Sequence, residues 1–207
     1  MFKNFASDAL GLSDLGKIIP PSQYQQTDAD DYIFHEDNEK IYFLIKSKTD
    51  EYCFTNVAFI HLDGQSATSK KRLLKRYPYR YHQPANVMIE TAGTIDLDAE
   101  LKFNLGGMAF SIDIDKNQIE QIRDIYKALT AISEQCKVID QQEHILKSTF
   151  DKVTNMIDIK TMPETILLNL PDIINQTVLQ IESGYSQRLS QIRKYDFGDI
   201  FEHYIHR

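Results

Sequence analysis

The 207 residues predict an α+β chain: about seven short antiparallel strands in a barrel or sandwich, a helix capping it, then an α-helical hairpin. Three observations carry this expectation. Apolar and polar residues alternate on both sides of Gly106-Gly107, short apolar runs separated by polar turns precede them, and after Asp115 the apolar spacing changes to three and four. Period two marks a strand with one dry and one wet face, whereas a period near 3.6 marks an amphipathic helix. Strands with no helical pattern between them exclude a doubly wound α/β fold.

In chain order, Phe2 to Leu15 is a helix candidate, and Pro20-Pro21 opens an irregular acidic segment ending near Glu39. Ile41 to Ile45, Tyr52 to Thr55 and Val57 to Leu62 read as strands, punctuated by Lys48-Thr49-Asp50 and Asp63-Gly64. These runs leave open which face turns inward. Lys70 to Tyr77 and Val87 to Glu90 add two more strands, a number that suits a small antiparallel barrel or sandwich. Ile95, Leu97, Ala99, Leu101, Phe103 and Leu105 then alternate with polar residues, and Met108, Phe110, Ile112 and Ile114 resume the pattern. Between them Gly106-Gly107 supplies the backbone freedom of a tight hairpin.

Ile119, Ile122, Tyr126, Leu129, Ile132, Cys136 and Ile139 form a helical stripe, with Asn117 or Asp115 as its cap. The stripe continues through Leu146, Phe150, Val153 and Ile157, which is longer than a small barrel needs. Thr161-Met162-Pro163-Glu164 reads as a capping box and Pro171 as a second start signal. Ile174, Val178, Ile181, Tyr185, Leu189 and Ile192 make the second stripe, so the two helices form an antiparallel hairpin. Each helix can hide only the strip facing its partner. The remaining apolar surface implies contact with other copies. The expected division is residues 1–133 for the barrel domain and 134–207 for the helical region.

Composition narrows the function classes. With 23 Lys+Arg against 30 Asp+Glu, the net charge is -7, which argues against a dedicated nucleic-acid binder. Two cysteines make no disulfide framework and do not pair with histidines at zinc spacing. The N-terminus lacks the apolar core of a signal peptide, and no stretch has the length of a spanning helix, so a cytoplasmic location is expected.

Three segments carry a family resemblance: Glu90-Thr91-Ala92-Gly93-Thr94-Ile95-Asp96-Leu97-Asp98-Ala99-Glu100-Leu101-Lys102, Ser69-Lys70-Lys71-Arg72-Leu73-Leu74-Lys75-Arg76-Tyr77, and Asp50-Glu51-Tyr52-Cys53-Phe54-Thr55-Asn56. They resemble the bacterial pleckstrin-homology-like family. Phe150-Asp151-Lys152 and Phe197-Gly198-Asp199-Ile200-Phe201-Glu202 resemble the helical oligomerisation region that follows this domain in some members. The resemblance implies a bent seven-stranded barrel capped by a helix, ring-like or dome-like homo-oligomers, and no enzymatic activity. It does not by itself imply a phosphoinositide ligand, because one fold hosts many ligands. The lysine-rich first hairpin of some inositol-phosphate binders is poorly matched, since Lys46 and Lys48 sit beside Asp50 and Glu51.

Two sets of residues are candidates for function. Lys70, Lys71, Arg72, Lys75, Arg76 and Arg80 form a basic run beside Tyr77, Tyr79 and Tyr81, suited to an anionic membrane surface or a phosphate ligand. The plainer alternative, which we favour, is a strand whose cations neutralise nearby acids. The second set is an oligomer interface: Leu146, Phe150, Val153, Ile157, Ile174, Val178, Ile181 and Tyr185. The acids from Asp28 to Glu39 lack the glycine and closing glutamate of a calcium loop, and those of the Asp96–Asp115 hairpin are its wet face. No catalytic set, metal site or cofactor is expected. The function read from the sequence is a self-associating scaffold or interaction module.

Overall fold

The computed structural model describes residues 15–64, 72–91, 98–155 and 170–205. Among the described residues, eight strands form two antiparallel sheets. The larger has the order β1 (Lys17–Ile18), β2 (Ile41–Lys46), β3 (Glu51–Thr55), β4 (Ala58–Gly64) and β5 (Arg72–Pro78). The smaller contains β6 (Pro84–Thr91), β7 (Asp98–Leu105) and β8 (Met108–Asp115). The sheets stack as a sandwich rather than closing into a barrel. One seam is stitched at Gly16, whose N–H donates to the Asp113 carbonyl at 2.8 Å and whose carbonyl accepts from Asp115 N–H at 3.0 Å. A side chain at Gly16 would strike that same carbonyl, which is why the close approach takes glycine.

The β7–β8 hairpin follows its alternation. Ala99, Leu101, Phe103, Leu105, Ile112 and Ile114 are buried, and Gly106 and Gly107 turn the chain with φ of 53° and 87°. Both central residues at positive φ match the twist of the flanking strands. Strands β2 to β4 are buried on both faces. Phe43, Ile45, Phe54 and Phe59 point into the sandwich, while Leu44, Cys53, Ile60 and Leu62 form a second core on the other side. That outer core is covered by residues 19–39, a strap containing three 3-10 turns, which contributes Ala29 and Ile33. The face left open by the sequence is therefore both faces. The segment read as irregular is a structural layer.

Helix α1 (Ile119–Asn155) starts behind a short 3-10 turn, where the Asp115 side chain accepts from Asn117 N–H at 2.9 Å. Its first part buries Ile122, Ile125, Ala128, Leu129, Ile132 and Cys136 against the sandwich. At 1.5 Å per residue its 37 residues span about 55 Å. Helix α2 (Leu170–Ile192) follows. Residues 2–14 of the N-terminal helix candidate, Lys70, Lys71 and the capping box at Thr161 lie outside the described residues.

The chain forms two compact units, Met1–Cys136 with Tyr195–Arg207, and Lys137–Lys194. The sequence places 134–207 in the helical region; in the structure Tyr195–Arg207 groups with the first unit. A short helix α3 (Gly198–Tyr204) packs on the sandwich: Phe197 and Phe201 are buried, and Phe201 stacks on Tyr42 with ring centroids 5.0 Å apart. Within the first unit, Tyr79 touches residues on either side of the intervening segment. The Cys136 Sγ is 4.0 Å from its carbonyl, and its ring lies edge-on to Phe197 at 5.8 Å.

Candidate functional site

The basic run is built into ion pairs. Arg76 on β5 donates through Nη2 to both oxygens of Glu39, at 2.9 Å each, and its guanidinium lies 4.7 Å from the centroid of Phe34. Glu39 also accepts from the Thr55 hydroxyl at 2.6 Å and from Phe34 N–H at 3.0 Å. Arg72 Nε pairs with Asp28 at 3.1 Å, and Lys75 with Asp63 at 3.0 Å. Strand alternation sends Arg72 and Arg76 toward the strap and Lys75 to the opposite face. Arg80, past the end of β5, lies over the rings of Tyr81 and Tyr195 at 5.3 and 5.6 Å. Among the described members, three of the four compensate carboxylates.

Those carboxylates explain the acidic segment. Glu51, wholly buried, accepts from Ala29 N–H at 2.8 Å and from Lys46 Nζ at 2.6 Å. Glu39 and Glu51 are thus the two anchors of the strap, each buried with a cation beside it, as buried charge requires. Asn56 is a third node: its Oδ1 accepts from Lys40 N–H, its Nδ2 donates to Asp196 at 2.8 Å, and its carbonyl accepts from Phe197 N–H. Glu51, Thr55, Asn56, Arg72 and Arg76 all belong to the segments that carried the family resemblance. Their common task is to fasten the strap and the returning C-terminus to the large sheet. Lys46 is engaged with Glu51, so this lysine of the first hairpin is not a free anion ligand.

On the small sheet, Glu100 faces Asp113 and Asp98 faces Asp115 across β7–β8, with Lys102 tied to Glu90 and Glu100. Partial burial and the neighbouring acids Glu100 and Asp98 push the Asp113 carboxyl up from its ordinary value. Among the described residues no group of three or more His, Cys, Asp or Glu is placed to hold a metal ion. An open depression of about 760 Å³ beside this face is lined by Asn86, Met88, Lys102, Phe103, Asn104 and Ala109, among others. The Cys53 thiol is pushed up by burial, consistent with an inert core residue.

The Lys137–Lys194 unit differs from all of this. Leu146, Phe150, Val153, Ile181 and Tyr185 line one groove between α1 and α2, with Phe150 and Tyr185 in ring contact at 4.8 Å. Arg193 makes a two-pronged pair with Glu143 at 2.8 and 2.9 Å. Yet from Asp140 to Asn155, and from Asp172 to Lys194, no described side chain is buried. Val153 and Val178 are strongly exposed, as are Val138, Ile145 and Leu179. Ile157 and the side chain of Ile174 lie outside the described residues. Ile145 and Leu179 were absent from the interface expected from sequence because each sits one position off the main stripe. The signal was available, since each doubles an apolar position already counted.

A sandwich of two antiparallel sheets with a helix packed on it defines a pleckstrin-homology-like domain. The chain belongs to the bacterial PH domain family, whose model matches residues 9–133. It is 51% identical over 208 residues to the uncharacterised protein YvbH of Bacillus subtilis, covering 99% of each chain. A second B. subtilis protein, the uncharacterised YjqA, is 33% identical over 97 residues, 46% of this chain and 76% of YjqA. A solved structure, a PH domain containing bacterial protein from Exiguobacterium sibiricum, superposes with a TM-score of 0.79 at 42% identity. That match covers 93% of this chain and all of the other. The fold expected from the sequence is present, in its sandwich form.

Proposed function

We propose that this PH-like protein is a non-enzymatic, cytoplasmic assembly module whose α1–α2 hairpin joins copies into a homo-oligomer that serves as a scaffold. The observation supporting this is the absence of buried side chains along the described hairpin beyond Ile139, although it carries Ile145, Leu146, Phe150, Val153, Val178, Leu179 and Ile181. Two helices this apolar and this uncovered gain most of their stability from partners. Light scattering tests the reading: the full chain should run as a multiple of its mass at micromolar concentration, and a strict monomer would refute it. The matching variant deletes 137–194 and joins Cys136 to Tyr195 by a short linker, since Cys136 and Phe197, on either side of the deletion, both contact Tyr79. It should fold and form smaller assemblies. Truncation near Ser133 would be a poorer probe, because it also removes Phe197 and Phe201 from the core.

A second reading, binding to anionic membrane or phosphate through the Lys70–Arg80 run, is supported by Arg80 beside Tyr81, whose side chain is 68% exposed. No described helix is long and apolar enough to cross a membrane, so such contact would be peripheral. Charge reversal at Lys70, Lys71 and Arg80 should abolish salt-sensitive sedimentation with anionic vesicles if this reading holds. Unchanged sedimentation would remove it.

A further inference from the structure

The turn that follows β5 holds one cation apart from the rest of the basic run. Tyr81 N–H and His82 N–H both donate to the Pro78 carbonyl at 2.9 Å. Tyr79 pins the turn from below: its N–H donates to the Val57 carbonyl at 3.0 Å, and its side chain has no exposed surface. On this rigid base, Tyr81 is the most exposed large apolar side chain among the described residues. The Arg80 guanidinium lies 5.3 Å from the Tyr81 ring centroid and 5.6 Å from that of Tyr195, and all three residues belong to the first unit. Arg72, Lys75 and Arg76 are committed to Asp28, Asp63 and Glu39. Among the described residues no carboxylate pairs with Arg80, and its side-chain N–H groups donate to none of them.

We propose that Arg80, Tyr81 and Tyr195 form a docking point for a single Asp or Glu side chain, set among apolar groups on a partner protein. A guanidinium offers two parallel N–H donors that match the two oxygens of a carboxylate. The flanking rings hold it in place, so less side-chain freedom is lost on binding, and a partner that covers them excludes water from the ion pair. Arginine and tyrosine are also the residue types in which interface energy concentrates. The single charge favours a carboxylate over a lipid surface. Attraction to anionic lipid adds up over several cations, and the described neighbours of Arg80 on β5 are already neutralised. The net charge of -7 further opposes an anionic bilayer and selects a partner that is neutral or basic overall, carrying its acid locally.

Two dye-labelled peptides blocked at both ends test this: one carries a glutamate between two phenylalanines, the other a glutamine in its place. In fluorescence anisotropy with the full chain, the glutamine peptide should bind about tenfold more weakly, the value of a charge-assisted hydrogen bond. Arg80→Ala and Arg80→Lys should each cost the glutamate peptide a similar factor and leave the glutamine peptide and the circular dichroism unchanged. Tyr81→Ser should weaken both peptides. Equal affinities, binding indifferent to Arg80, or no binding at millimolar glutamate peptide overturns the proposal. Phosphatidylserine vesicles that bind through Arg80 and displace the glutamate peptide overturn it as well, and favour the membrane reading.

Discussion

Arg76 and Lys75 are neighbours on β5, and their chemistry is opposite in kind. Arg76 sits on a nearly buried carboxylate with both oxygens engaged, so Arg76→Ala leaves Glu39 charged and uncompensated in the interior. That loss should cost about 3–5 kcal/mol in denaturant unfolding, and Glu39→Ala in the same chain should recover part of it. Lys75 pairs with Asp63 where both remain about one-third exposed, so Lys75→Ala should stay within about 1 kcal/mol of the parent. Vesicle experiments that reverse Arg76 would thus confuse lost binding with lost folding. Tyr52 offers a pH test. Burial, with Asp50, Asp63 and Asp113 nearby, pushes its phenol up from 10.0 to about 12. The unfolded chain then releases this proton first, so stability is full below pH 10 and declines as pH rises from 10 to about 12. Tyr52→Phe should flatten that alkaline decline in unfolding measured across the window; an unchanged slope would remove Tyr52 as its source. The basic run was visible in the sequence as a cluster of charge, but its partners were not. Asp28 and Glu39 lie far from Arg72 and Arg76 along the chain, and the packing of the strap brings them together.

At the level of elements, legibility tracked how each face meets solvent. The β7–β8 hairpin was readable because one face is dry and the other wet, and the turn needs two residues at positive φ. Strands β2 to β4 gave no such alternation because the sandwich core covers one face and the strap the other. The first part of α1 announced itself through its stripe, but α3 did not. Seven residues are too few for a clear period, and its place depends on Tyr42 and Phe43, more than 150 residues earlier. Its contribution is nonetheless that of a core element. Phe201→Ala should destabilise by about 3–5 kcal/mol in urea unfolding, the range for emptying a buried aromatic site. A chain ending at Lys194 should do worse, since it loses Phe197 and the Asn56–Asp196 hydrogen bond as well.

For the whole molecule, assembly can be separated from folding by substituting residues exposed in the single chain. If copies assemble through the hairpin as proposed, Ile145→Asp with Leu179→Asp should leave circular dichroism intact while the mass from light scattering falls; an unchanged mass would remove these residues from any interface. In the parent chain, the thermal midpoint should rise with protein concentration if copies bind the folded form, and in the double variant that dependence should weaken.

The junction at Tyr79 has a practical meaning. Because Tyr195–Arg207 groups with Met1–Cys136, with Cys136 and Phe197 both touching Tyr79, the segment 137–194 is an insertion within a continuous host rather than a trailing appendage. If that insertion joins copies as proposed, grafting a foreign coiled coil of known valence into the gap should reset how many hosts gather, with the host's own interior left as it was.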